Sequence, residues 1–225
     1  MLPRPADYYV AKLRQLHDRM QTDLLHHLRV QEDSASENDL AGVADVRGGD
    51  TIYAIDAHSE EILFDFCETW SREAGPFVLI SEGIEDAGWR AFPDGASVED
   101  GMFLMIVDPI DGTRNIMYNK RSAWILSGIA PNNGPGTTLA DIEAAVMTEL
   151  PTTRHLLADQ LWATRGGGAF RESRNVFTDE RKPLPLRPSK SPALAHGFAS
   201  VAKFFPPAKA EIAAFEGKLF DAVLD

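Results

Sequence analysis

Phe103-Leu104-Met105-Ile106-Val107-Asp108-Pro109-Ile110-Asp111-Gly112-Thr113-Arg114-Asn115 is the stretch that decides how this sequence is read. Residues 103–107 form an unbroken apolar run, which predicts a buried strand. Two carboxylates three apart, Asp108 and Asp111, leave its end across a proline-stiffened turn, so their side chains can converge on one point. Carboxylates with backbone carbonyls and water suit hard divalent cations such as Mg²⁺. Gly112 lets the backbone approach a ligand closely, and the N–H groups of Gly112 and Thr113, if they open a helix, would face an anion. A bare Asp-x-x-Asp also describes a solvated turn, where Asp, Pro and Gly are common. The full string Asp-Pro-Ile-Asp-Gly-Thr is far more specific.

Around this stretch the pattern mixes helices and strands. Residues 6–30 carry Tyr9, Leu13, Leu16, Met20, Leu24 and Leu28 at steps of three or four, predicting an amphipathic helix packed on its own core. Residues 31–49 are polar, acidic and glycine-terminated and read as a loop. Residues 50–56 read as a short strand with a carboxylate at each end. Residues 57–73 predict a second helix, with Ile62, Leu63, Phe66, Cys67 and Trp70 on one face. A buried strand follows at 76–81 and a turn-rich stretch at 83–101. Further strands are expected at 122–130, 141–149, 154–164 and 196–202. Gly166, Gly167 and Gly168 lack a following Gly-Lys-Ser/Thr, so they read as a hairpin turn rather than a phosphate loop. A final helix is expected over 207–223, with Ile212, Phe215, Leu219, Phe220 and Val223 inward. The order of elements predicts α/β or α+β layers.

Composition narrows the function. The chain has 225 residues, with Lys plus Arg 22 and Asp plus Glu 34, a formal charge of −12. That balance argues against an extended nucleic-acid surface, which needs clustered cations. It leaves room for one small phosphorylated molecule if metal ions supply local positive charge. No apolar run approaches the ~18 residues of a membrane helix. Cys67 is the sole cysteine, which excludes an intramolecular disulfide and a cysteine-based zinc cluster and fits a reducing cytoplasm. Its place on an apolar helix face predicts a buried structural thiol. The histidines show no ligand spacing such as His-Glu-x-x-His; His58, two residues after Asp56, reads as a surface histidine at a helix start.

Taken together, these stretches resemble the inositol monophosphatase family, within the lithium-sensitive, metal-dependent phosphatase superfamily that includes fructose-1,6-bisphosphatases. Asp108–Thr113 matches the family signature D-P-[IL]-D-G-T. Asp50-Thr51-Ile52-Tyr53-Ala54-Ile55-Asp56 is similar to its D-x-V-T-x-x-D segment. Val78-Leu79-Ile80-Ser81-Glu82 is similar to the strand ending in its first metal-binding Glu, and Leu161–Phe170 resembles its A-x-x-G-x-G-A-[FY] hairpin. The resemblance implies an α/β fold, an α+β layered sandwich of the sugar-phosphatase type. It implies Glu82, Asp108, Asp111 and the main-chain carbonyl of Ile110 as metal ligands, for two or three Mg²⁺ ions, with Mn²⁺ as a substitute and Li⁺ as an inhibitor. It implies Gly112, Thr113 and Arg114 as phosphate or substrate contacts, and Asp56 with Thr113 as the pair that orients the attacking water. The implied activity is hydrolysis of a small phosphate monoester, an inositol or sugar phosphate. Two alternatives are a nucleotide 3′-phosphatase, whose branch continues the signature as D-G-T-K-E where Arg114-Asn115 stands here, and a non-catalytic metal-binding regulatory subunit.

The sequence departs from the family in two places. Gly83 stands where the family often has a second Glu after Glu82. The family's later W-D-x-[AT]-[AG] motif, whose Asp binds a catalytic metal, has no counterpart: Phe220-Asp221-Ala222 echoes it only superficially, on the final helix. Residues 1–225 are therefore expected to be the N-terminal, metal-binding part of such a domain, without its C-terminal α/β segment. As such they are expected to turn over weakly alone and to self-associate as a homo-oligomer through uncovered apolar surface.

Overall fold

A computed structural model describes residues 1–33, 43–47, 50–84, 88–192, 201 and 208–224. In chain order the elements are helix α1 (Ala6–Asp33), strands β1 (Val43–Arg47) and β2 (Asp50–Tyr53), helix α2 (Ala54–Ala74), strands β3 (Phe77–Ser81), β4 (Trp89–Phe92) and β5 (Phe103–Asp111), a short helix α3 (Thr113–Met117), strands β6 (Ala123–Pro131), β7 (Ala144–Leu150), β8 (Leu157–Thr164), β9 (Gly168–Asn175) and β10 (Arg181–Leu184), and helix α4 (Lys209–Leu224). Strands β3 to β10 form one eight-stranded sheet in the order β10-β9-β8-β7-β6-β5-β3-β4, while β1 and β2 pair separately. Within the large sheet β3 and β5 run parallel; the other neighbours are antiparallel. Residues 1–186 make one compact unit and residues 187–225 a second. The layered α/β class expected from the sequence is the one found.

Helices α1 and α2 pack together on one face of the sheet, α1 mainly on β7 and α2 on β5. The strand pattern is why. Phe103, Met105 and Val107 of β5, Ala123, Ile125 and Ile129 of β6, and Ala144, Val146 and Leu150 of β7 are all buried on that face, the alternation a pleated strand produces. Aromatic rings weld the helices to it. The Phe103 ring centroid lies 4.8 Å from Phe77, 5.0 Å from Tyr9 and 5.4 Å from Trp70, joining α1, α2, β3 and β5 in one cluster. Cys67 is fully buried beside Trp70 on α2, and burial pushes its thiol pKa far up, as its place on the stripe predicts. The opposite face of β3, β5 and β6 is less covered. There Ile80, Leu104, Ile106 and Ala130, with Leu139 and Ile142, line a shallow apolar cavity of about 270 Å³.

The polar side of α1 is a second packing surface, not merely a solvated one. Arg14 pairs with Glu172 of β9, its guanidinium lies 4.1 Å over the Trp162 ring, and Asp18 accepts from Arg181 of β10 at 2.9 Å. Buried His17 sits 2.9 Å, Nδ1 to Oγ1, from Thr148, and burial lowers its pKa to about 3, so it stays neutral. Charged groups of α1 thus meet partners on β9 and β10, strands with little apolar alternation.

Several boundaries differ from the sequence reading. Helix α1 runs on to Asp33, and 43–47 is a strand rather than loop; residues 34–42 and 48–49 lie outside the described ones. The strand expected over 50–56 ends at Tyr53, and α2 begins at Ala54, so Asp56 rides in the first turn of a helix instead of ending a strand. The turn-rich stretch 83–101 contains β4, which pairs with β3 along Phe77–Ile80. The apolar strand runs past Val107 to Asp111. The glycine run turns β8 into β9 as an antiparallel hairpin. The strand expected at 196–202 falls outside the described residues, apart from residue 201. In α4, Phe215, Leu219 and Val223 are exposed rather than inward, and Asp221 is exposed on the same helix. No described helix is long and apolar enough to cross a membrane.

Phe103 touches rings from three other elements, so its truncation leaves a cavity that no single neighbour can fill. Phe103→Ala is expected to lower unfolding stability by about 3–5 kcal/mol, measured by urea denaturation. A loss below about 1 kcal/mol, the range of surface substitutions, would show that the ring cluster does not hold the two helices to the sheet.

Candidate active site

The site begins with strand register. Parallel pairing sets Ser81 of β3 opposite Val107 of β5, so the residues that follow, Glu82 and Asp108, leave neighbouring strands at the same level. Parallel strands lie about 4.8 Å apart, close enough for two carboxylates to feel each other. Strand β5 then slips register against β6: Asp108 faces Leu126, but Asp111 faces Trp124. Three steps on one strand against two on the other make a bulge, the device that re-aims side chains beside functional sites. The Ile110 N–H donates to Asp108 Oδ1 at 3.1 Å and fixes the bulge, while Pro109 and Ile110 are buried beneath it.

Gly112 ends the bulge with φ 107° and ψ 28° and is the N-cap of α3. A side chain there would be strained by φ and would press on Ala123 at 3.3 Å, so the turn into the helix requires glycine. The next residue, Thr113, is held twice: its Oγ1 lies 3.0 Å from Asp56 Oδ1 and 3.0 Å from the Ile110 carbonyl. The first contact spans 57 residues and ties the first turn of α2 to the end of β5.

The structure therefore brings Asp56, Glu82, Asp108, Ile110, Asp111, Gly112 and Thr113 to one end of the β3–β5 pair. Arg114 is exposed in the first turn of α3. Asp108 records how crowded the acids are. Its pKa is raised from 3.8 to about 6, first by burial and then by the negative charges of Glu82 and Asp111, with Asp56 adding to them. A half-buried carboxyl facing three further acids belongs to a donor set short of positive charge, and an oxygen-seeking divalent cation fits it.

One carboxylate beside the site escaped sequence reasoning. Glu60 lies one turn after Asp56 on α2, and its Oε1 sits 1.2 Å from where a Cβ on residue 83 would be. Position 83 is thus glycine where the space belongs to a carboxylate from another element. The pairing could have been suspected only from Gly83 standing beside Glu82 and from Asp56 and Glu60 being one helical turn apart.

The sequence matches no protein-family profile, and no curated protein is significantly similar to it. Solved structures give a clear answer. The holo form of Leishmania major fructose-1,6-bisphosphatase superposes with a TM-score of 0.57 at 16% identity, over 77% of this chain and 52% of that one. The fold is that of fructose-1,6-bisphosphatase. The T-state of the same enzyme gives 0.51 at 15% identity, over 82% and 53%. The suppressor protein SuhB of Bartonella henselae overlaps more loosely, with a TM-score of 0.47 at 21% identity, over 71% of this chain and 51% of that one. The chain spans about half the length of the structures it matches. Identities this low speak to the fold, and the fold is the one that the motif resemblance implies.

Two outcomes follow from the crowding. A carboxyl with a folded pKa raised to about 6 contributes stability that is fully present below its ordinary 3.8 and is lost as pH rises through 6. Without divalent cations, Asp108→Asn is expected to be more stable than the wild type at pH 7–8 by about 1–2 kcal/mol, a figure discounted for the solvent that reaches the group. The gain should vanish near pH 4, read from urea midpoints across pH; equal midpoints at pH 8 would remove Asp108 from the crowded set. Gly83→Ala should displace the Glu60 carboxylate and weaken Mg²⁺ or Mn²⁺ binding severalfold with the fold intact, measured by cation titration beside circular dichroism. Unchanged affinity would detach Glu60 from the site.

Proposed function

We propose that the protein is a Mg²⁺-dependent phosphoric monoester hydrolase acting on a small phosphorylated polyol or sugar, an inositol or sugar phosphate. The observation that carries this reading is the placement of Thr113 Oγ1 within 3.0 Å of Asp56 Oδ1, beside a carboxylate group whose mutual repulsion calls for cations. The fold shared with fructose-1,6-bisphosphatase supports it.

Glu82, Asp108, Asp111 and the Ile110 carbonyl would hold Mg²⁺, and Mn²⁺ has the same preference for oxygen. When bound, such an ion lowers the pKa of water and offsets phosphate charge. The remaining steps belong to the chain. Thr113 has one hydroxyl proton and two acceptor neighbours. Donating it to Asp56 leaves oxygen lone pairs that can accept a proton from water. Asp56 and Thr113 so aligned would orient a water and carry its proton away as its oxygen attacks phosphorus. The ester P–O bond breaks on the opposite side, and the leaving alkoxide takes a proton from solvent. The N–H groups of Gly112 and Thr113 and the Arg114 guanidinium would face phosphate oxygens, offsetting a net charge of −12 that otherwise repels an anion.

The test is phosphate release from small phosphate monoesters by the full-length protein with millimolar Mg²⁺. Asp108→Asn should abolish turnover. Thr113→Ala should slow the chemical step by about 10²-fold or more, the usual scale of lost acid–base assistance, while Mg²⁺ still raises thermal stability. Turnover that survives chelation or Asp108→Asn would sink the proposal.

A further inference from the structure

On α1, Asp23 and His27 lie one helical turn apart and present to the same side. The facing residue of α2 is His58. Its Nε2 lies 2.5 Å from Asp23 Oδ2, and His27 Nδ1 lies 3.2 Å from that same oxygen. The two imidazole rings are 4.4 Å apart at 60°. One ligand atom from each of the three residues lies within 4.8 Å of the others, and all three side chains are half-buried between the helices.

We propose that Asp23, His27 and His58 form a binding site for a borderline divalent transition ion of the Zn²⁺ class, clamping α1 to the start of α2. The inference stands apart from the phosphatase reading, since none of these residues belongs to the carboxylate group at β5. Donor chemistry sets the ion. Two imidazoles and one carboxylate favour Zn²⁺, Co²⁺, Ni²⁺ or Cu²⁺, whereas Mg²⁺ prefers oxygen alone. In a tetrahedral zinc site with Zn–N near 2.0 Å, ligand atoms stand about 3.3 Å apart. The three present here, within 4.8 Å of one another, are near that spacing. His27 Nδ1 also lies 3.0 Å from the Asp23 main-chain carbonyl, so it divides between two acceptors and makes no full hydrogen bond to the carboxylate oxygen that His58 approaches. An ion between them satisfies all three at once. The other nitrogen of His58 faces Glu61, with Oε2 4.0 Å from Nδ1. A carboxylate behind a ligating histidine orients the ring and sets its tautomer. The ion's remaining positions would go to water, as in zinc sites with three protein ligands.

The experiment titrates Zn²⁺ into the whole chain with millimolar Mg²⁺ present, so that the oxygen site at β5 is already supplied. One Zn²⁺ per chain should bind. His27→Gln and His58→Gln should each weaken it at least about tenfold, or 1.4 kcal/mol, whereas Asp108→Asn should leave it in place. Imidazole NMR of the wild type gives a reading that needs no variant: two of the six histidines should change on Zn²⁺ addition and be unmoved by Mg²⁺. Zn²⁺ affinity unchanged in both histidine variants, or no imidazole response in the wild type, would overturn the proposal.

Discussion

Everything at the candidate active site depends on the parallel pairing of β3 with β5. That pairing sets Ser81 against Val107, and the two carboxylates that follow have no choice but to emerge together. Burial and then their mutual repulsion oppose the arrangement, and together they push the Asp108 pKa up to about 6. A fold tolerates such a cluster only if packing elsewhere over-determines the strand ends. The Phe77–Phe103 stack at 4.8 Å does that at the other end of the same two strands. Hydrophobic contact thus holds in register what electrostatics pushes apart.

The bulge at Pro109–Ile110 converts this register into a site with direction. Without it, Asp108 and Asp111, an odd number of positions apart, would fall on opposite faces of a regular strand. The register slip against β6 breaks the alternation, and the strand then turns through Gly112 into α3. Thr113 follows at once, where its hydroxyl reaches back to Ile110 and across to Asp56. One octapeptide therefore supplies candidate cation donors, a glycine turn and the hydroxyl that engages α2.

That compactness explains what was legible in the sequence. Asp108, Ile110, Asp111, Gly112 and Thr113 are contiguous, so their spacing alone announced a site. Glu82 was legible because a strand end is a local feature. The apolar stripes of α1 and α2 were legible because their period is local too. Asp56 was assigned to a strand because Asp50–Tyr53 is β-like and the helix start carries no sequence break strong enough to mark Ala54. Glu60 and Gly83 are coupled only through the packing of α2 against the β3 end, which no pattern along the chain records. Strands β9 and β10 carry Arg171, Glu172, Arg174 and Arg181 where alternating apolar residues would be expected. They are held by ion pairs to α1, such as Arg181 to Asp18 at 2.9 Å, and to each other, as Arg181 is to Glu172 at 2.9 Å.

The same reasoning separates two kinds of ligand chemistry in one acidic chain. The end of the β3–β5 pair offers oxygens from side chains and from the Ile110 carbonyl, the donor set of hard, strongly hydrated ions. The α1–α2 seam offers two imidazoles and a carboxylate, the donor set of ions that Mg²⁺ cannot displace. Both sets involve α2: Asp56 and Glu60 face the strand ends, while His58, between them in sequence, faces α1. A helix turns 100° per residue, so a residue two positions on points nearly the opposite way. Residues so close in sequence could serve two sites without competing for one ion. The spacing that made His58 look like an incidental neighbour of Asp56 is the spacing that keeps it out of the strand-end site. Its partners lie on α1, and the 35-position separation of His58 from Asp23 is why only the folded chain brings them together.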